Sequence, residues 1–326
     1  MGCGTSQIAA TPENFPMFSL TFHWVDIFRF IHATPRSIAL ARKCLQNHWL
    51  GKITDEGRYC GAVDLEVSGR PFAKGTGQTE TIASKIALCH LLEYFLADGW
   101  RIQVSSDMSR MMEQTAWFFR RWPVEKGKRL PVVCTLSLSA TDQLQLIKAN
   151  DDLFDDLKAA LKKASPRELE PEDNCYLIKL KGNPWTSEEK EGMDARRFLL
   201  DLCRRYQARG YFPYNTANLK GTADSIFFVR HPDGNGWQMA GNYCMLSLNQ
   251  HDRLRLVDCP QELQPLIRET IKKYRGEKSI QKEQEIFGCY EFKLLGNPWC
   301  AMAADEVFSR LLVTRILEAY HRQWPG

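Results

Sequence analysis

The chain has 326 residues, of which 44% are hydrophobic and 25% are charged, and its formal net charge is +4 at pH 7. These proportions are those of an ordinary globular protein. They exclude collagen, a wholly disordered chain and a small scaffold held together by disulfides. The positive excess is too small and too dispersed to indicate nucleic-acid binding by itself. Composition therefore bounds the class of protein but indicates no reaction.

The amino terminus, Met1-Gly2-Cys3-Gly4-Thr5-Ser6, carries a pattern typical of N-myristoylation at Gly2. One myristoyl chain binds a membrane only marginally, so a second signal is needed. No Lys or Arg precedes Arg29, so a polybasic patch cannot supply it, whereas palmitoylation of Cys3 can. We therefore expect residues 1–16 to form a flexible acylated tail on the cytosolic leaflet. The alternative is a chance match of a short motif.

The sequence shows no secretory signal and no run of about 18 apolar residues long enough for a transmembrane helix. Together with the acylation motif, this predicts a lipid-anchored protein on the cytoplasmic face of the plasma membrane or of endomembranes. In that reducing compartment the 11 cysteines are expected to be thiols rather than disulfides.

Three segments, at residues 20–31, 136–147 and 246–257, align without gaps. In each, apolar and polar residues alternate on both sides of a shared aspartate, which predicts a β-hairpin with one buried face. The side chains of these aspartates are expected to hold the turn as hydrogen-bond acceptors. They are Asp26, Asp142 and Asp252. A helix is expected after each hairpin, with Thr34, Asn150 and Pro260 as start signals.

A second pattern follows each first helix: a short strand, a turn containing proline and then an amphipathic helix. The turns are Gly-Arg-Pro-Phe at 69–72 and Gly-Asn-Pro-Trp at 182–185 and 296–299. The three helices are predicted at residues 81–97, 194–209 and 306–322. Two further strands follow the first and second of these helices, but the third copy ends without them.

These patterns predict an α+β fold made of tandem β-β-α-β-α-β-β units with antiparallel sheets. The first unit covers residues 17–122, the second 131–232, and a truncated third 241–326. Polar linkers are expected at residues 124–129, 166–173 and 276–285.

Candidate contact residues are two turn aromatics and four basic residues of the second amphipathic helix. They are Trp185, Trp299, Arg196, Arg197, Arg204 and Arg205. The aromatics either form a binding lip or cap the core below the turn. The arginines either form a solvated face or contact anionic lipid heads.

Patterns typical of metal sites and hydrolase nucleophiles, such as C-x-x-C, H-E-x-x-H and G-x-S-x-G, do not occur. We therefore predict no catalytic residue, no metal and no cofactor, and a non-enzymatic protein. An enzyme of unrecognised class stays open as an alternative.

Residues 63–72, followed by Gly75-Thr76-Gly77 and a helix of small residues, resemble the second half of a double-stranded-RNA-binding domain. That family binds A-form RNA, using paired lysines at the start of this helix. Here Glu80 and Thr81 stand in their place, with Lys85 further on. RNA binding through the first unit is therefore kept as an alternative function.

The Met1-Gly2-Cys3-Gly4 start, together with a helix ending in Gly99-Trp100 and a strand containing Phe118-Phe119, resembles the raftlin family. That resemblance implies an acylated protein of the cytoplasmic membrane face, with Gly2 and Cys3 as its functional positions. The sequence thus predicts a membrane-tethered scaffold or adaptor with unknown protein partners.

Overall fold

The structure is a computed structural model that describes residues 17–73, 75–107, 115–123, 130–161, 168–172, 175–218, 224–230, 243–302 and 304–323. The acylation motif, with Gly2 and Cys3, lies outside these residues. The described part of the chain is α+β, with three antiparallel sheets and six α-helices.

The secondary structure repeats three times along the chain. The first repeat contains β1 (Met17–His23), β2 (Ile27–Ile31), α1 (Pro35–His48), β3 (Ile53–Tyr59), β4 (Ala62–Val67), α2 (Gln78–Ala97), β5 (Trp100–Asp107) and β6 (Thr115–Arg121). The second contains β7 (Val132–Ser139), β8 (Gln143–Ile147), α3 (Asp151–Leu161), β9 (Glu168–Glu172), β10 (Cys175–Lys179), α4 (Lys190–Ala208), β11 (Tyr211–Asn218) and β12 (Asp224–Arg230). The third contains β13 (Met245–Asn249), β14 (Arg253–Val257), α5 (Leu263–Arg275), β15 (Ile280–Ile286), β16 (Cys289–Leu294) and α6 (Ala304–Gln323).

Each repeat contributes one sheet. The first has the strand order β3-β4-β2-β1-β6-β5, the second β11-β12-β7-β8-β10-β9, and the third β13-β14-β16-β15. The third sheet has the same hairpin and the same following strand pair as the other two. Among the described residues it has no counterpart of β5 and β6.

Every repeat has one strand more than the predicted unit. The additional strands are β3, β9 and β15, and each lies at the edge of its sheet. Two of the predicted linkers, at 166–173 and 276–285, were therefore wrong in part, because β9 and β15 run through them. In β3 no residue is buried, so the strand lacks the alternating apolar pattern that marks a sheet with one buried face.

The shared aspartates hold the hairpins through their main chain. The carbonyl oxygens of Asp26, Asp142 and Asp252 each accept an N–H from the end of the next inner strand, at 2.8–3.0 Å. Trp24, Ala140 and Gln250 each lie two positions before the aspartate and have positive φ, which the tight turn requires. Helix α1 is capped as predicted, because the Thr34 hydroxyl accepts the N–H of Ser37.

The chain divides into two compact units. The first comprises residues 1–159, 165–180 and 206–238, and contains the first two sheets. The second comprises residues 160–164, 181–205 and 239–326, and contains the third sheet with most of α4. The core of the first unit is strongly aromatic: Phe18, Phe95 and Phe119 are buried and their rings are in contact.

Candidate interaction surfaces

Two of the three turn aromatics pack on the cores of their own repeats. Phe72, in the first repeat, is buried and contacts Phe22 and Phe28. Trp299 packs against the third core, and its indole N–H donates to the carbonyl oxygen of Arg253 at 2.8 Å. Trp185 is partly exposed. Packing against the core accounts for Phe72 and Trp299, and contact of Trp185 or Trp299 with a partner stays a prediction.

The basic residues of α4 make intramolecular contacts. Arg196 donates to the carbonyl oxygen of Gly192, and burial, followed by the charge of Arg255, lowers the pKa of its guanidinium. Arg197 donates to the carbonyl oxygen of Phe287. The Arg197 contact joins α4 to the turn between β15 and β16. A role in lipid or partner contact stays a prediction for both residues.

The two remaining predicted arginines are also paired. Arg204 bridges to Asp258 at 3.1 Å and donates to the carbonyl oxygen of Tyr243 at 2.6 Å. Arg205 pairs with Asp201 one turn earlier on the same helix, at 2.9 Å. Arg205 therefore belongs to a local helix pair, whereas Arg204 joins the helix to the neighbouring hairpin.

Helix α2 belongs to the first repeat but also packs on the second sheet. We call this contact the first junction. Its apolar part is formed by Ile82 and Ile86 of α2 against Ile147 and Cys175 of the sheet. Lys85, which is 3% exposed, donates to Ser137 and Gln145 on the same sheet face. The sheet face is therefore covered by a helix that the preceding repeat supplies.

Helix α4 makes the same contact with the third sheet, which we call the second junction. Met193 and Leu200 of α4 pack on Val257 and Cys289. Met193 stands 111 positions after Ile82, and Val257 and Cys289 stand 110 and 114 positions after their counterparts Ile147 and Cys175. The two sheet spacings match those of the aligned hairpins and proline turns, and the helix spacing matches that of the helix-ending glycines Gly99 and Gly210. The two junctions therefore share these three positions.

Each junction contains one charged pair between its helix and its sheet, and the signs of the two partners are exchanged between the junctions. At the first, the Glu93 carboxylate of the helix contacts the Lys148 ammonium at 2.5 Å and accepts the N–H of Val133. At the second, Arg204 of the helix contacts Asp258 at the equivalent sheet position. Lys148 and Asp258 each directly follow the second hairpin strand, and both have positive φ. The anion is on the helix in one junction and on the sheet in the other.

The second junction also covers a buried ion pair. Arg255 donates to Glu291 at 2.7 Å, and their side chains are 3% and 0% exposed. Arg253 and Gln284 donate to the same carboxylate, at 2.6 and 2.8 Å. Three donors at one buried carboxylate satisfy its oxygens, which is the condition under which a buried pair is tolerated.

Hydrogen bonding decides the ionisation of both junction carboxyl groups. Burial by itself would raise the pKa of Glu93, but the hydrogen bond from His90, together with the charge and the hydrogen bond of Lys148, outweighs burial and lowers the net pKa. The same balance holds for the pKa of Glu291, where burial is opposed by hydrogen bonds from Arg255, Gln284 and Arg253. Both groups are therefore stabilised as carboxylates.

Sequence reasoning named Arg204 as a candidate contact residue but missed the other junction residues, although one signal could have found them. At the aligned positions 93 and 204, and again at 148 and 258, the sign of the charge changes on both partners together. Such paired reversal indicates spatial contact. Sequence reasoning also missed the pair formed by His251 and Cys300. These residues lie 49 positions apart in the chain, and the Nδ1 atom of His251 is 2.8 Å from the Sγ atom of Cys300. A thiol beside an imidazole is a pairing used by nucleophilic cysteines, but both residues are exposed here.

The residues that carry the RNA-binding resemblance have structural partners. Glu80 accepts the main-chain N–H of Arg70 and so fixes the turn before α2. Lys85 is buried in the first junction. The part of the chain that the structure describes contains no cluster of three or more His, Cys, Asp or Glu that could hold a metal ion. None of the described helices is long and apolar enough to cross a membrane.

The fold and the junctions define a tandem α+β repeat protein. The model of one domain family, whose function is uncharacterised, matches the chain three times, over residues 16–120, 132–229 and 242–324. The chain belongs to that family. No curated protein and no solved structure matches the chain. The resemblance to raftlins stays a prediction.

Proposed function

We propose that the protein is a non-enzymatic scaffold, tethered to the cytosolic face of a membrane by acyl chains on Gly2 and Cys3. The tether rests on the amino-terminal motif, in which a myristoyl site is followed directly by a thiol that can take a second chain. The resemblance to the raftlin family supports the same arrangement.

The scaffold role rests on one observation, the repeated docking of a helix on the outer face of a hairpin sheet. Two sheets receive a helix in a similar way, with three shared apolar positions and a charged pair at the same positions. A sheet face that accepts an amphipathic helix within the chain is a surface suited to binding a helix from elsewhere.

Fractionation of cells expressing the full chain tests the tether. We expect the wild type in the membrane fraction, Gly2→Ala in the soluble fraction, and Cys3→Ser only weakly retained, because a single myristoyl chain gives marginal binding. Cys300→Ser is a matched control, since it removes an exposed thiol that is not part of the motif. Equal solubility of wild type and Gly2→Ala would contradict the proposal.

A further inference from the structure

Helix α6 of the third repeat presents the face that α2 and α4 use for docking. Its inner side resembles theirs, because Leu312 and Ile316 are buried in the third core. On its outer side, Val307 lies nine positions after Pro298, as Met193 lies nine positions after Pro184, so Val307 occupies the position of Met193 and of its counterpart Ile82. Those two residues are 5% and 0% exposed, whereas Val307 is 65% exposed.

The polar residues of α6 follow the same pattern. Arg310 stands at the position of Lys85 and Arg196, and Glu318 at that of Glu93 and Arg204. The outer side of α6 therefore combines an exposed apolar residue, a cation and an anion in the order found at the first junction.

The first sheet has a face with the same strand register as the third sheet, which α4 covers. Its register pairs Thr21 with Arg29 and Arg29 with Asp64, as the third sheet pairs Ser247 with Arg255 and Arg255 with Glu291. The Arg29–Asp64 bridge, at 2.8 Å, is thus the counterpart of the buried pair beneath α4.

The apolar part of this face is also present. Ile31 occupies the position of Ile147 and Val257, which are fully buried under α2 and α4. Ile31 is only partly buried. Within the compact unit that contains the first sheet, no described helix makes the contacts with β1 and β2 that α2 makes with β7 and β8.

We propose that α6 of one copy docks on the outer face of the first sheet of a second copy, repeating the geometry of the two junctions. Val307 then packs on Ile31, and Glu318 meets His32. His32 directly follows the second hairpin strand and has positive φ, as Lys148 and Asp258 have. An imidazole N–H donates to a carboxylate, so the acid on the helix faces a donor on the sheet, as at the first junction.

This contact deepens the proposed scaffold function by naming its partner. The interface is heterologous, because a helix of one copy meets a sheet of the next, and it therefore builds open chains or rings rather than a two-fold dimer. An acylated protein of this kind assembles along the membrane face by adding copies end to end.

Sedimentation velocity of the purified, unacylated full chain from about 1 to 100 μM tests the contact independently of the tether. We expect concentration-dependent assembly of the wild type. Val307→Asp, at an exposed position where folding is safe, should weaken assembly at least about tenfold, because it removes the apolar anchor. A wild type that is monomeric throughout, or a Val307→Asp variant that assembles as the wild type does, would overturn the proposal.

A charge exchange tests the docking register. His32→Glu and Glu318→Lys should each weaken assembly. The double variant should regain it, because a cation on the helix opposite an anion on the sheet reproduces the polarity of the second junction. Lys278→Glu, an exposed charge reversal outside either face, is the matched control and should assemble normally. Failure of the double variant to recover would refute this register.

Mixing two blocked variants tests the head-to-tail arrangement. In Val307→Asp the docking face of the first sheet is unaltered, and in His32→Glu the docking face of α6 is unaltered. An equimolar mixture should therefore form one-to-one pairs that neither variant forms alone. Absence of such pairs would overturn the proposal, while the membrane fractionation of the acylated protein is unaffected by either result.

Discussion

Removing the carboxylate of Glu291 should strongly destabilise the third sheet. In Glu291→Ala the guanidinium of Arg255, 3% exposed, stays buried without its counter-charge. Breaking a buried pair in this way costs about 3–5 kcal/mol. Glu283→Ala is the matched control, because its bridge to Arg268 lies on the same sheet with both side chains about a quarter exposed. That loss should cost about 1 kcal/mol or less.

The second repeat supplies a rescue for this variant. Its equivalents of Arg255 and Glu291 are Gln145 and Leu177, a neutral pair. The double variant Arg255→Gln with Glu291→Leu should therefore regain most of the lost stability, since replacing a buried ion pair by well-packed neutral groups is often neutral.

Hydrogen exchange of the β14 and β16 amides measures these effects locally, which suits a chain with two compact units. A loss of about 3–5 kcal/mol corresponds to roughly 10²- to 4 × 10³-fold faster exchange through opening of the third sheet. Exchange no faster in Glu291→Ala than in Glu283→Ala would refute the reasoning. The reasoning would also be refuted if these amides exchanged as fast in the double variant as in Glu291→Ala.

Three further outcomes are expected. Glu93→Arg should lower the midpoint of urea unfolding, because it places a second cation beside Lys148. Adding Lys148→Asp should restore the midpoint. An equally low midpoint in the single and the double variant would count against the charged pair. Because the pKa of Glu291 is lowered, its stabilisation is present above pH of about 4.3 and is lost as the pH falls through its folded-state pKa, so Glu291→Gln should flatten the acid limb of the stability profile. Burial raises the pKa of Cys44 to about 12, so iodoacetamide at pH of about 8 should label exposed Cys300 and spare Cys44 in the native protein, as mass spectrometry would show.

The repeat itself could be predicted from the sequence because hairpins and turns have local signals. Alternation around Asp26, Asp142 and Asp252 placed the hairpins, and the proline turns placed the second helices. The edge strands could not be found in the same way. In β3 no residue is buried, so no apolar alternation marks the strand, and it is held by main-chain pairing with β4.

The junctions were missed for a different reason. An amphipathic pattern shows one buried face of a helix, but α2 and α4 each bury a second side against the next repeat. The contacts on this second side include charged groups such as Glu93 and Arg204, and a charged residue outside the apolar face of a helix is typical of a surface in contact with solvent. Only comparison between repeats reveals that each of them has a partner of opposite charge.

The reversed polarity of the two junctions limits how such a chain can be rearranged by gene recombination. Excision of the middle repeat would bring α2 onto the third sheet. Glu93 would then face Asp258, and Lys85 would face Arg255, so both polar contacts would become repulsive. Each repeat therefore recognises its own successor, and the charges at the contacts fix the order of the three repeats.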